Sequence, residues 1–168
     1  MKAIGNIEIA IARERDLDGV LALQAANQTS NGGKLSASFS RSQLQLMMKE
    51  MPLLVARRDE NVVGFLICST RERVGDIPII LAMLDSYPTR AHEAYVYGPV
   101  CIDVKERGNG LAQLLFEELR RLLPGREGVL FIRRDNEASI RSHRKMGMRE
   151  VSSFTYGGIE HIVLSYVG

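Results

Sequence analysis

The stretch that most restricts the fold runs from a strand-like segment through Arg107-Gly108-Asn109-Gly110 into an amphipathic helix. Ala94 to Ile102 has strand character, and Gly98-Pro99 in mid-run predicts a bulge or kink. After the glycines, Leu111, Leu114, Leu115, Leu119, Leu122 and Leu123 fall on one side of a helix that Pro124-Gly125 closes. Two glycines let the backbone turn tightly and approach a ligand. The first free N–H groups of the helix and its dipole then point at one spot, which is an anion site. The pattern is neither G-x-x-x-x-G-K-[ST] nor G-x-G-x-x-G, so P-loop NTPase and dinucleotide-fold readings lose support.

The rest of the chain alternates strand and helix signals. Ile7, Ile9 and Ile11 share one face of a strand, and Asp16 stands where an N-cap would start a helix through Val20, Leu21 and Leu23. Gln28 to Ser38, rich in Asn, Gly and Ser, reads as a mobile loop, followed by a helix that Ser40 caps and Pro52 ends. Leu53–Arg57 and Val62–Cys68 form a hairpin around Asp59-Glu60-Asn61. Between Thr70 and Ala91 Pro78 excludes a central strand, and a short helix and an ordered insertion both fit. A buried strand at Val129–Ile132, a helix from Asn136 to Met146 and strands at Met148–Thr155 and His161–Tyr166 complete a β-α-α-β-β-β-α-β-α-β-β order. That is a mixed α/β domain without an internal repeat.

Composition narrows the partners. The 168 residues carry 22 basic and 20 acidic side chains for a net charge of +2, with opposite signs interleaved as in Arg13-Glu14-Arg15-Asp16. No basic face for nucleic acid is expected. Cys68 and Cys101 lie far apart in apolar runs, as buried thiols in a reducing compartment do, and no stretch reaches the roughly 20 apolar residues of a membrane helix. With no signal-peptide layout, the expected setting is the cytoplasm, without membrane contact. His92, His143 and His161 are too dispersed for a zinc site, so no metal is expected.

The run from Val104 to Ala112 resembles the (Gln/Arg)-x-x-Gly-x-(Gly/Ala) signature of the GCN5-related N-acetyltransferase superfamily. Asn136 to Met148 is similar to that superfamily's second landmark, in which an Asn opens a helix, a Tyr follows seven residues on, and Gly-Phe closes it. The spacing of Asn136, residue 143 and Gly147 agrees. The resemblance spans nearly the whole chain and implies a single domain over residues 1–168. Its sheet would be mixed and mostly antiparallel, of about six to seven strands flanked by about four helices, and splayed at the fourth and fifth strands.

The resemblance also implies roles. The backbone of Arg107, Gly108, Asn109, Gly110, Leu111 and Ala112 would wrap the pyrophosphate of acetyl-CoA. The strand end Cys101, Ile102, Asp103 and Val104 would pair with the pantetheine amides, an N–H near Val100 to Ile102 would polarise the thioester, and Asn136 would contact the pantetheine arm. The chain departs from the family where His143 replaces Tyr and Met148 replaces Phe. His143 can serve as the acid, because an imidazole is partly charged near neutrality. It can equally be a surface histidine beside Arg141, Arg144 and Lys145. Glu93 is the first candidate for the base, with His92, Tyr95 and Tyr97 as alternatives. Arg133, Arg134, Arg144 and Lys145 would meet the 3′-phosphate or form a solvated face, and Cys101 lacks a paired base for covalent catalysis. The expected activity is acetyl transfer from acetyl-CoA to a primary amine, on a small molecule or on a peptide or protein. Specificity would come from loops or from a second copy in a homodimer. The alternatives are a non-catalytic acyl-CoA-binding module and a binder of another phosphorylated ligand.

Overall fold

The computed structural model describes residues 2–28, 30, 33, 35, 38–89 and 91–168, and for residues 2–4 the backbone alone. Of the segment expected to be a mobile loop, Thr29, Asn31, Gly32, Lys34, Ser36 and Ala37 lie outside the described residues, as does Arg90 in the later insertion. The chain forms two compact units, one made of residues 1–68 and 98–122 and the other of residues 69–97 and 123–168.

In the first unit, β1 (Lys2–Ile4), β2 (Ile7–Ile11), β3 (Leu54–Arg58) and β4 (Asn61–Thr70, its last two residues in the second unit) run antiparallel in that order. The alternation at Ile7 and Ile9 buries both. The β3–β4 hairpin closes on Asp59 and Glu60 alone, with Asp59 at φ 55°, a conformation that Asp tolerates better than most residues. Helix α1 (Leu17–Ala26) follows a 3-10 turn at Glu14–Asp16. Asp16 is the helix N-cap by position, but its side chain caps nothing there. Its carboxylate accepts the Arg13 N–H at 2.7 Å and a two-pronged bond from the Arg57 guanidinium at 2.7 and 2.6 Å. Burial opposes the charge, yet these donors hold the carboxyl below its usual range. Ser40 does cap α2 (Arg41–Glu50), accepting Gln43 N–H while Gln43 reaches back to the Ser40 amide. Helix α5 (Leu111–Leu122) lies over β2 and β3 and buries Leu111, Leu115, Phe116 and Leu119.

The second unit is organised around β6 (Glu127–Arg133). The start of β5 (Tyr95–Ile102) pairs with it in parallel, Tyr95 opposite Gly128. On the other side, β8 (Ile159–Val167) runs antiparallel, and β7 (Arg149–Tyr156) pairs with β8 in turn. Gly157 and Gly158, both at positive φ, close the β7–β8 hairpin. The insertion is two helices, α3 (Arg71–Val74) and α4 (Pro78–Ser86), with Pro78 at a helix start where its missing N–H costs nothing. Helix α4 packs on β7, and the Ser152 hydroxyl donates to the Ser86 carbonyl at 2.9 Å. Just beyond α4, the Tyr87 hydroxyl donates at 2.9 Å to the Glu127 carboxylate, which also accepts Thr89 and Ser165 hydroxyls. Burial disfavours that charge, and the three hydroxyls together with the charge of Arg71 outweigh it. Helix α6 (Glu137–Lys145) completes the unit.

The fold class is thus the mixed, mostly antiparallel α/β arrangement expected. There are eight strands and six α-helices among the described residues, against about six to seven and about four expected. The added elements are β1, too short to register as a period-2 pattern, and the insertion helices α3 and α4.

Candidate functional site

In the first unit, the backbone of residues 103–113 is the distinctive feature. Asp103 sits beside β4, its N–H bonded to the Val63 carbonyl at 2.8 Å. Its side chain accepts the Lys105 N–H and starts a 3-10 turn over Val104–Glu106. Arg58 holds that turn through two parallel 2.8 Å bonds to Glu106. Gly108 and Gly110 then take φ 83° and 77°, and neither has any atom within 4 Å of where a Cβ would stand. Steric room therefore does not require glycine here; the left-handed backbone does. The first i→i−4 bond of α5 runs from Leu114 N to Gly110 O. Gly110 thus occupies the cap position with no side chain to satisfy the amides of Leu111, Ala112 and Gln113. Arg107 faces away from this role, since its guanidinium donates to the Ile102 carbonyl at 3.0 Å and the Asn27 side chain at 2.8 Å. Cys101 is buried, and burial pushes its thiol up to about 11, so it is protonated at neutral pH and is no nucleophile.

In the second unit, Asn136 is the N-cap of α6, its Oδ1 accepting Ser139 N–H at 3.4 Å. The cap uses only the acceptor end of the amide. Two turns further on, His143 is not the surface residue its basic neighbours suggested, for it is 3% exposed. Nδ1 lies 2.7 Å from the Ser139 carbonyl, which can only accept, so Nδ1 carries the proton. Nε2 lies 3.2 Å from the Tyr97 hydroxyl, with the two rings edge to face at 5.6 Å. Burial pushes the imidazole below its ordinary range and the Ser139 bond opposes this only in part, so the ring is neutral at pH 7. A neutral ring protonated on Nδ1 makes Nε2 an acceptor, and Tyr97 is the donor.

Three tyrosines continue from this bond. Tyr97 meets Tyr166 edge to face at 5.8 Å, and the Tyr166 and Tyr95 hydroxyls share a hydrogen bond. The crossing is possible because Gly128 lies between Tyr95 and Tyr166 in the strand register. A Cβ there would meet the Tyr166 ring and hydroxyl at 2.5 Å.

The remaining sequence candidates are placed elsewhere. Glu93 is exposed before the start of β5, and its carbonyl accepts from Arg126 at 3.0 Å. It does not join the His143–Tyr97 pair. His92 is exposed, its carbonyl bonded to Arg71. Arg133 pairs with Asp135, Arg134 with Glu150 and Glu160, and Arg144 with Glu150, so much of the expected basic cluster is internally neutralised. His161 stacks on Phe154 at 5.0 Å with Phe131 edge-on, and its Nδ1 has no partner among the described residues. The His143–Tyr97 pair was not legible beforehand. Its only trace is that Tyr95 and Tyr97 alternate onto one strand face.

Among the described residues no helix is long and apolar enough to cross a membrane, and no group of three His, Cys, Asp or Glu side chains could hold a metal. The model of the acetyltransferase (GNAT) family matches residues 10–148, and the chain belongs to that family. Similar solved structures share its fold. An N-acetyltransferase from Staphylococcus aureus Mu50 superposes with a TM-score of 0.72 at 18% identity, covering 97% of this chain and 99% of that one. Arabidopsis thaliana Naa50, in complex with a CoA–peptide bisubstrate analogue, gives 0.69 at 12% identity over 96% and 99%. A phosphinothricin acetyltransferase from Sinorhizobium meliloti, in complex with AcCoA, gives 0.69 at 16% over 97% and 89%. No curated protein matches the sequence.

Proposed function

We propose that this chain is a single-domain, cytoplasmic N-acetyltransferase that moves the acetyl group of acetyl-CoA onto a primary amine by direct attack. The observation that carries the reading is the glycine-framed start of α5, where a capless helix terminus leaves backbone donors for an anion, in a chain of the acetyltransferase family. In this reading the amides of residues 107–112 hold the pyrophosphate. The backbone of Cys101, Ile102, Asp103 and Val104 takes the pantetheine amides, with the Ile102 carbonyl keeping one lone pair beyond its bond to Arg107. A backbone N–H between Val100 and Ile102 polarises the thioester. Asn136 donates its free amide hydrogens to a pantetheine carbonyl. His143 belongs to the proton-transfer machinery, and Glu93 takes the ammonium proton, directly or through water. The acceptor is an amine of a small molecule or of a peptide, and a homodimer is one way to complete its pocket.

Thermal melts with acetyl-CoA, CoA and ATP test the cofactor. A shift confined to the CoA species supports the reading, and no preferential shift removes it. A thiol-release assay across polyamines, aminoglycosides and peptide N-termini then tests catalysis. One observation favours a second reading: His143 is neutral and its Nε2 is occupied, so it cannot itself donate a proton. Acetyl-CoA binding without thiol release for any amine would make the chain an acyl-CoA-binding module.

A further inference from the structure

We propose, resting on the acetyltransferase reading, that Arg58 is a positioning residue for the cofactor: it holds the Glu106 carboxylate against the end of β3 and cancels its charge, so that an anion can sit on the amides that follow. Glu106 stands immediately before the 107–112 segment assigned to the pyrophosphate. An acidic side chain there has the wrong sign for that ligand, and at 12% exposure solvent screens it only in part. Arg58, 48 positions away, meets both carboxylate oxygens, its Nε donating to one and its Nη2 to the other at 2.8 Å each. Such a planar fork fixes where the carboxylate points as well as the charge it shows, which a lysine cannot do. The Arg58 bond is also the main reason the Glu106 carboxyl stays below its ordinary range and is ionised.

Shape alone does not account for the pair. The turn before Gly108 is fixed by other bonds: Asp103 N–H donates to the Val63 carbonyl at 2.8 Å, Lys105 N–H to the Asp103 carboxylate at 3.0 Å, and Glu106 N–H to the Asp103 carbonyl at 2.8 Å. Arg107 adds its bonds to the Ile102 carbonyl and to Asn27 Oδ1. All of these survive removal of the Arg58–Glu106 pair, and a half-exposed ion pair adds little to stability by itself. What the pair contributes beyond them is charge. The consequence is an asymmetry. Losing Arg58 leaves a lone carboxylate beside the diphosphate and repels it, whereas losing the Glu106 charge leaves a lone guanidinium and attracts it. A pair that served only as a brace would suffer equally from either side.

The test titrates acetyl-CoA by calorimetry into wild type, Arg58→Met, Arg58→Lys, Glu106→Gln and the Arg58→Met/Glu106→Gln double variant, with KM and kcat measured alongside. Arg58→Met is expected to bind about tenfold more weakly in about 50 mM salt, the scale of one partly screened charge contact, and the gap to wild type to close in about 500 mM. The loss should fall on KM for acetyl-CoA and not on kcat. Glu106→Gln should bind as wild type or up to about tenfold tighter, and the double variant should return to within about threefold of wild type. Arg58→Lys, which keeps the charge without the fork, should fall between Arg58→Met and wild type. Three results overturn the proposal: Arg58→Met within about twofold of wild-type affinity, Glu106→Gln more than about twofold weaker than wild type, or a double variant as weak as Arg58→Met. Should Arg58→Met fail to fold, the Glu106→Gln criterion decides alone. Wild type that does not bind acetyl-CoA removes the acetyltransferase reading itself, and wild-type binding that Arg58→Met leaves unaltered removes only the role of Arg58.

Discussion

From Asp103 to Gln113 the first unit presents backbone, and at Tyr95, Tyr97, His143 and Tyr166 the second presents side chains. The loop's donors are peptide N–H groups, which every residue but proline carries, so its chemistry depends on φ angles that two glycines permit. The cluster's chemistry depends on an imidazole and three phenols brought together from β5, α6 and β8. Substitution should therefore harm the loop through shape and the cluster through functional groups, and the two should separate in kinetics.

The largest effect is expected from Gly110→Val. A β-branched residue at φ 77° is strongly disfavoured, so the loop must rearrange. Acetyl-CoA affinity, read by calorimetry, should fall about 100-fold, the loss of several charge-assisted bonds. Gly110→Val should act on KM for acetyl-CoA, and wild-type affinity in the valine variant would break the contrast. Next comes Gly128→Ala, whose methyl group collides with the Tyr166 ring. Thermal unfolding should register about 1–3 kcal/mol of overpacking, and an unchanged melt would mean that the tyrosines move apart freely.

A smaller effect should appear in stability against pH. Burial holds His143 and His161 below the usual histidine range, with Arg133 adding to the effect at His161. Below about pH 6.5 the unfolded chain takes up protons that the folded one does not. Stability is full above that pH and is lost as pH falls toward the folded-state values. Melts from pH 8 to 5 should decline only below about 6.5, and less steeply in His161→Phe. The smallest effect concerns Cys101. Its alkylation by iodoacetamide at pH 7 should be far slower than that of a free thiol and should accelerate toward pH 11.

The same contrast explains what could be read from the sequence. The glycine loop, the α5 stripe and the Ser40 cap are local, with cause and consequence a few residues apart, and each is visible as a pattern. The early strands followed from alternation at Ile7 to Ile11 and from the apolar runs of the hairpin after Pro52. The failures are long-range. Asp16 looks like a cap because Asp favours caps, and only the fold brings Arg57 to it. His143 looks exposed because its helix neighbours are basic, and only Tyr97, 46 positions away, reveals a buried face. The insertion defied reading because its anchors, Glu127 and Ser152, lie on distant strands.

Gly128 sits where the ring of Tyr166 must cross from β8 to reach Tyr95. The missing side chain and the large one make up a single volume shared between two strands. A larger residue at 128 becomes acceptable only alongside a smaller one at 166, and that exchange removes the hydroxyl bonded to Tyr95. Among descendants of this sequence that keep the tyrosine cluster, the two positions should change together or not at all.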